Sequence, residues 1–497
     1  EPLLGALART IDDSDDHVRI GSKRCASVLG GACELRVLVP LVLAKLQSGN
    51  ADDDDADAGL SAVSRRAIWL TLLGALTSGA SEAQLDGHLG PLLAAVSAPT
   101  FCVPVIAANE EHTGAYTLAQ SRFVQFLQTL IRRAGRRCCV PPHGLAVYSA
   151  LMRVASVPSV AGSAFASQRL AMQTLAEMAI TAGVSDGSDS GAAMHEVYMP
   201  ELLSELLARK AYTQWKASTS DWHLMQTLLR QCDGATAAAA LIDVCPALAT
   251  LLDPKREATL RLTALSLLDQ LFSSASFCGA PQLADWAEHI FSAMLLPNLI
   301  WRAGKAAEHV RLASALCLSK LLPLPHLTGE VLGKYLEEAL PLLTSCLDDD
   351  NAETRRLMCA VLALALPRLS ASRIDSEKLR RIYPELLKRL DDSSDDIRLK
   401  VCDTLIALFS AVSYSAVYVA SSNLDRTNYQ YVLRGLLVHV DDPNPTIQSA
   451  VSRVVEHAMQ VDPPICAEEL KAVRDRQRSP KICDALLEKA HAFGQLV

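Results

Sequence analysis

Apolar residues recur along this chain at the spacing of one helix face, most clearly from Tyr383 to Leu405, YPELLKRLDDSSDDIRLKVCDTL. Leu386, Leu387 and Leu390 fall on one face of a first helix. Ile397, Val401, Leu405 and Leu408 fall on one face of a second, largely at i, i+4 spacing. Between them Asp391, Asp392 and Ser393 interrupt the pattern and offer oxygens suited to capping the next helix. Such a hairpin has two apolar faces and no partner for either, so it is stable only beside further copies of itself.

Alignment on a Val-Arg pair finds those copies. Val18-Arg19 follows Ile11, Asp12 and Asp13, and Leu260-Arg261 follows Leu252 and Asp253. Val310-Arg311 follows a turn at Gly304, Thr354-Arg355 follows Leu347, Asp348 and Asp349, and Ile447-Gln448 follows Val440, Asp441 and Asp442. From Arg261 through Arg311, Arg355 and Arg398 to Gln448 the steps are 50, 44, 43 and 50 residues. Pro246, Pro341 and Pro384 stand in phase, each seven residues before the first aspartate of its turn, and Pro40, Pro91, Pro200 and Pro297 extend the series. Two helices per unit at this period are the signature of HEAT or armadillo arrays. The proline, aspartate and arginine positions resemble the HEAT pattern. There the proline removes one backbone donor from the first helix, and the aspartate and arginine form a structural ladder between neighbouring repeats. The predicted fold is therefore all-α, a single α-solenoid of stacked antiparallel helix pairs over residues 1–497, with about ten to eleven repeats.

Taken in order, residues 1–8 and 18–29 form helices about the turn at Asp12, and 35–46 follows around Pro40. Residues 48–59, SGNADDDDADAG, read as an acidic, solvated loop without the spacing of a calcium-binding hand. Helices are expected over 61–76, 85–96 and 118–134, with an irregular stretch over 100–114. Residues 143–182 give a further pair with a loop over 156–167, and 185–192 reads as flexible. Tyr212, Trp215 and Trp222 form the densest aromatic group, expected to be packed inside. The repeats are cleanest from Cys245 onward, with helices expected at 284–301 and 331–347 among others, and residues 466–497 are expected to be the polar C-terminal cap. The chain opens inside a repeat with no cap, so the sequence predicts further repeats before it.

Composition narrows the class. Half of the residues are hydrophobic but only 5% are aromatic, so the core is Leu, Ala and Val. A net charge of −8 argues against a general nucleic-acid binder. Fourteen cysteines show no Cys-x-x-Cys spacing. Cys25, Cys317, Cys359 and Cys402 sit on second helices as small hydrophobes, which indicates reduced thiols and a cytosolic protein. The longest apolar run, Leu357 to Leu366, is too short for a membrane span.

The search for chemistry turns up no catalytic, cofactor-binding or metal-ligating residue. Gly329-Glu-Val-Leu-Gly333-Lys334-Tyr335 has the outline of a phosphate loop, with one residue too few between its glycines and a tyrosine where Ser or Thr must hold magnesium. His195, His289 and His309 are scattered and read as surface or satisfied residues. Two basic groups stand out: Arg132, Arg133, Arg136 and Arg137, and Lys471, Arg474, Arg476, Arg478 and Lys481. Cations at a helix C-terminus complement its dipole; a docking patch for an acidic partner or RNA is the alternative.

The segment from Tyr383, together with the aromatic-rich stretch from Tyr414 to Tyr431, resembles the C-terminal HEAT repeats of the HEAT-repeat dynein axonemal assembly factor family. That resemblance implies a non-catalytic cytoplasmic factor that helps preassemble outer and inner dynein arms before delivery to motile cilia. It also implies dynein heavy or intermediate chains and chaperones as partners. The acidic loop 48–59 and the loop 155–167 stand out as additions. No partner-binding residue carries over from the family. Other HEAT-type functions compatible with the residues are a nuclear transport receptor, a phosphatase-type scaffold, or RNA binding through the basic groups.

Overall fold

The computed structural model describes residues 2–47, 62–96, 113–158, 164–184, 190–208, 210–369, 376–413 and 426–496. The acidic stretch 48–59 and most of the aromatic-rich stretch from Tyr414 lie outside the described residues. The described residues form helices and turns, with no strand among them, arranged as antiparallel pairs of an α-solenoid. The chain divides into two compact units, Glu1–Asp243 and Val244–Val497.

In the first unit the second helices of successive pairs, Asp16–Ala32, Ala62–Gly79, Thr113–Ala134 and Ala164–Ala182, pack one on the next. The first two of these touch backbone to backbone. A Cβ on Gly30 would overlap the Leu76 carbonyl, and one on Gly79 would overlap that of Ser27. Gly30→Ala should therefore force the helices apart and destabilise by about 1–3 kcal/mol. Gly21→Ala in the same helix meets nothing within 4 Å, and its gain in helix propensity should stabilise by about 0.5–1 kcal/mol. The two melting temperatures should move in opposite directions.

Within the second unit, the second helices Ala258–Leu271, Lys305–Leu321, Ala352–Ala365, Asp395–Ser413 and Pro445–Ala458 form a layer of their own. The first helices Leu336–Leu347, Ser376–Arg389, Arg426–His439 and Pro463–Arg474 form the opposite layer. Turn residues fix where each second helix starts. Asn351 accepts the amides of Glu353 and Thr354, and Asn444 accepts that of Thr446 with Pro445 at the first helical position. Pro40, Pro200, Pro246, Pro341 and Pro384 lie inside first helices, each withholding one donor.

Some boundaries differ from the sequence expectation. The helix expected over 284–301 runs as an α-helix only over Gln282–His289. It widens into a π-helical turn over Ile290–Leu295 and tightens to a 3-10 turn over Leu296–Leu299, with Pro297 unable to donate. The helix expected over 331–347 is interrupted at Tyr335, between Gly329–Lys334 and Leu336–Leu347. Residues 190–192, expected to be flexible, begin the helix Ser190–Ala208. Of the cysteines expected to pack as small hydrophobes, Cys317, Cys359 and Cys402 are buried but Cys25 is exposed. The described cysteines are all free thiols.

Candidate partner-binding surface

The turns carry the most regular polar geometry. Each turn aspartate accepts the amide two residues on and so holds its own loop: Asp349 from Asn351 at 2.9 Å, Asp392 from Ser394 at 3.1 Å, Asp442 from Asn444 at 2.8 Å. The remaining lone pairs face the arginine of the preceding repeat. Arg311 Nε donates to Asp349 at 2.5 Å, with the side chains 2% and 1% exposed. Arg355 donates twice to Asp392, through Nε at 2.8 Å and Nη2 at 3.1 Å. Arg398 donates to Asp442. Burial alone would raise the Asp392 carboxyl, but Arg355, the Ser394 amide and Arg389 together hold it below the usual carboxylate range.

The ladder is thus present, and it has a neutral rung. Arg261 Nη1 donates to the carbonyl oxygen of buried Asn298 at 2.9 Å, and the Asn298 amide donates to the carbonyls of Leu252 at 2.8 Å and Met294 at 2.7 Å. In the first unit Arg19 turns onto its own loop, to the Asp13 carbonyl and Asp16. Arg122 takes Asp12 instead, at 3.2 Å. These pairs are structural: each joins groups within the fold.

The outward faces are dominated by charge that is balanced locally. On the second helices Glu353 pairs with Arg356 at 2.6 Å and Asp403 with Lys400 at 3.0 Å. On the first helices Glu337 pairs with Lys378 at 2.9 Å and Glu468 with Arg426 at 3.2 Å. Both basic groups singled out in the sequence are partly neutralised. Arg132 meets Glu177 at 2.8 Å and Arg137 meets Asp86 at 2.9 Å, while Arg133 and Arg136 are exposed. Arg474 is clamped by Asp484 at 2.5 Å. Such patches project far less field than their arginine count suggests.

The loop with the outline of a phosphate site is a short capped helix, Gly329–Lys334. Thr328 caps it, and Lys334 is committed to Glu288 at 2.6 Å. Burial pushes the thiols of Cys346, Cys359 and Cys402 up to about 12, so these sulfurs stay protonated. Among the described residues no group of three His, Cys, Asp or Glu is placed to hold a metal ion, and no helix is long and apolar enough to cross a membrane.

His195 is buried, with Nδ1 2.7 Å from the Tyr148 hydroxyl. Burial lowers its pKa from 6.5 to about 4. The unfolded chain binds the proton more readily between those values, so the stabilisation is complete above pH 6.5 and lost as pH falls toward 4. The loss is on the order of 3 kcal/mol. His195→Phe should flatten that limb of a stability–pH profile measured by urea unfolding.

Helix pairs in register, an internal Arg–Asp ladder and broad charge-balanced faces define a HEAT-type α-solenoid, a class built for extended protein contact. Among proteins of known role, the chain is 26% identical over 493 residues to Dynein axonemal assembly factor 5 of Xenopus laevis, and 27% identical over 494 residues to that of Homo sapiens. These homologues match 98% and 99% of this chain, which spans about half of their length, 53% in each case. No family model matches. Solved structures that align with the chain include Kap121p bound to RanGTP, at 13% identity and a TM-score of 0.42 over 95% of this chain and 47% of that one. A designed armadillo repeat protein aligns at 16% identity and a TM-score of 0.34 over 49% of this chain and 99% of that one.

Proposed function

We propose that this chain is a non-catalytic cytoplasmic scaffold for the preassembly of axonemal dynein arms, outer and inner, before their delivery to motile cilia. One observation carries the reading: similarity along nearly the whole chain to proteins named as dynein axonemal assembly factors. The physical character of the surface agrees with it. Ion pairs along and between the helices join many of the surface charges, and recognition on this reading is spread over many modest contacts rather than concentrated in one polar cleft. The partners on this reading are dynein heavy or intermediate chains, together with chaperones or other assembly factors.

The test is affinity purification of the tagged chain from the cytoplasm of ciliating cells. Dynein heavy or intermediate chains should co-purify. Preparations that repeatedly contain no dynein subunit, from cells that are making arms, would sink the proposal.

A further inference from the structure

One recess on the first unit gathers two cations, one of them unpaired. It has a volume of about 240 Å³ and lies across three successive second helices, Asp16–Ala32, Ala62–Gly79 and Thr113–Ala134. Lys23 comes from the first, a floor of Leu70, Gly74 and Ala75 from the second, and Arg122 with Phe126 from the third.

Two cations therefore face one small apolar floor. Arg122 is bound by Asp12 at 3.2 Å and by the side-chain carbonyl of Gln125 at 3.2 Å, yet its Nε–H is buried and has no acceptor. Half-buried Lys23 makes no hydrogen bond or ion pair with the described residues. Burial and then the Arg122 cation lower its pKa, with Arg19 adding to the effect and Asp12 opposing it. The protons of the neighbouring hydroxyls are already donated within their own helices. Thr71, Ser78 and Thr129 donate to the carbonyls of Ala67, Ala75 and Gln125 in their own helices. What the recess lacks is an acceptor with negative charge, and what its floor accommodates is a short stretch of methylene.

We propose that this recess receives the carboxylate side chain of a glutamate, or the shorter aspartate, from an acidic segment of a partner protein. The methylenes lie on Gly74 and Ala75, and the carboxylate meets Lys23 Nζ beside the Arg122 cation. The glycine and alanine of the floor leave room that a larger side chain would fill. This deepens the scaffold reading by naming the chemistry of a partner, and it holds whether or not that partner is a dynein chain.

The test is fluorescence anisotropy of the whole chain with a labelled peptide of alternating glutamate and leucine, beside the same peptide with glutamine for glutamate. The glutamate peptide should bind and weaken as salt rises. Lys23→Ala should reduce affinity about tenfold, the scale of one charge-assisted hydrogen bond. Lys23→Arg should retain binding. Ala75→Leu, which fills the floor and leaves both cations in place, should also abolish binding. Because Lys23 has no partner to lose, Lys23→Ala should melt no lower than the parent chain. Equal binding of the two peptides, unchanged affinity in Lys23→Ala and Ala75→Leu, or displacement by inorganic phosphate as effective as by unlabelled peptide would each overturn the proposal. Dynein co-purification could fail while this titration succeeds, so the two readings are separable.

Discussion

Asp349→Ala should destabilise the second unit by about 3–5 kcal/mol, the cost of stranding a buried charge. Arg311 is only 2% exposed, and its other recorded bond is from Nη1 to the Arg302 carbonyl at 2.8 Å. With the carboxylate gone, water cannot reach the guanidinium without opening the interface between two repeats. The Asn351 amide loses its acceptor at the same time, so the cap of helix Ala352–Ala365 loosens with it. Asp391→Ala is the control in the next turn, since that residue is largely exposed and its ionisable neighbour is His439 at 3.9 Å. A change there should stay within about 0.5 kcal/mol. Replacing Arg311 and Asp349 together by Met and Leu should recover most of the loss, because desolvation offsets much of the Coulomb gain of a buried pair. Urea unfolding of the four chains, with hydrogen exchange to locate the opening, distinguishes these cases.

Trp222→Ala should cost about 3–5 kcal/mol in the first unit. Trp222 is fully buried in helix Ser220–Gln231, with Trp215 at 6.5 Å between ring centroids and Tyr212 against Trp215 at 6.3 Å. The tyrosine lies in a single 3-10 turn entered through Lys210 at φ 51°. Removing the Trp222 indole takes away the ring on which Trp215 rests, so the segment from Lys210 to Thr219 should become protease-sensitive. Trp222→Phe keeps a ring in place and should lose less than half as much stability. Unfolding midpoints together with limited proteolysis test both statements.

Much of this architecture was legible in the order of residues. The Val-Arg register predicted the ladder because a repeat places chemically equivalent side chains at equivalent sites. Asp349, Asp392 and Asp442 do receive the arginine of the repeat before. The aromatic group was correctly read as packing for the same kind of reason: large rings at close spacing need a shared interior. The misread boundaries have local causes. The π turn at Ile290–Leu295 and the break at Tyr335 keep apolar residues inward while changing the hydrogen-bond register, so periodicity alone passes over them. Asn298 escaped notice because it is not an acid, although its oxygen occupies the place of one. The recess at Lys23 could not be read at all. Its parts come from residues 23, 70–78 and 122–129, which nothing but the stacking of three helices brings together.

The ladder also gives the second unit a direction. The charged rungs Arg311–Asp349, Arg355–Asp392 and Arg398–Asp442 reach forward, from an arginine to the aspartate of the repeat that follows, and each of these aspartates is held independently by an amide of its own loop. Shortening the unit from its two ends should therefore have unequal consequences. A chain ending before Asp349 would abandon Arg311 with a buried charge and no counter-ion. A chain beginning after Arg311 would leave Asp349 still bound to Asn351 and newly open to water. Deletions from the carboxyl side should unravel the adjoining pair of helices, while deletions of equal size from the amino side should be borne with smaller loss.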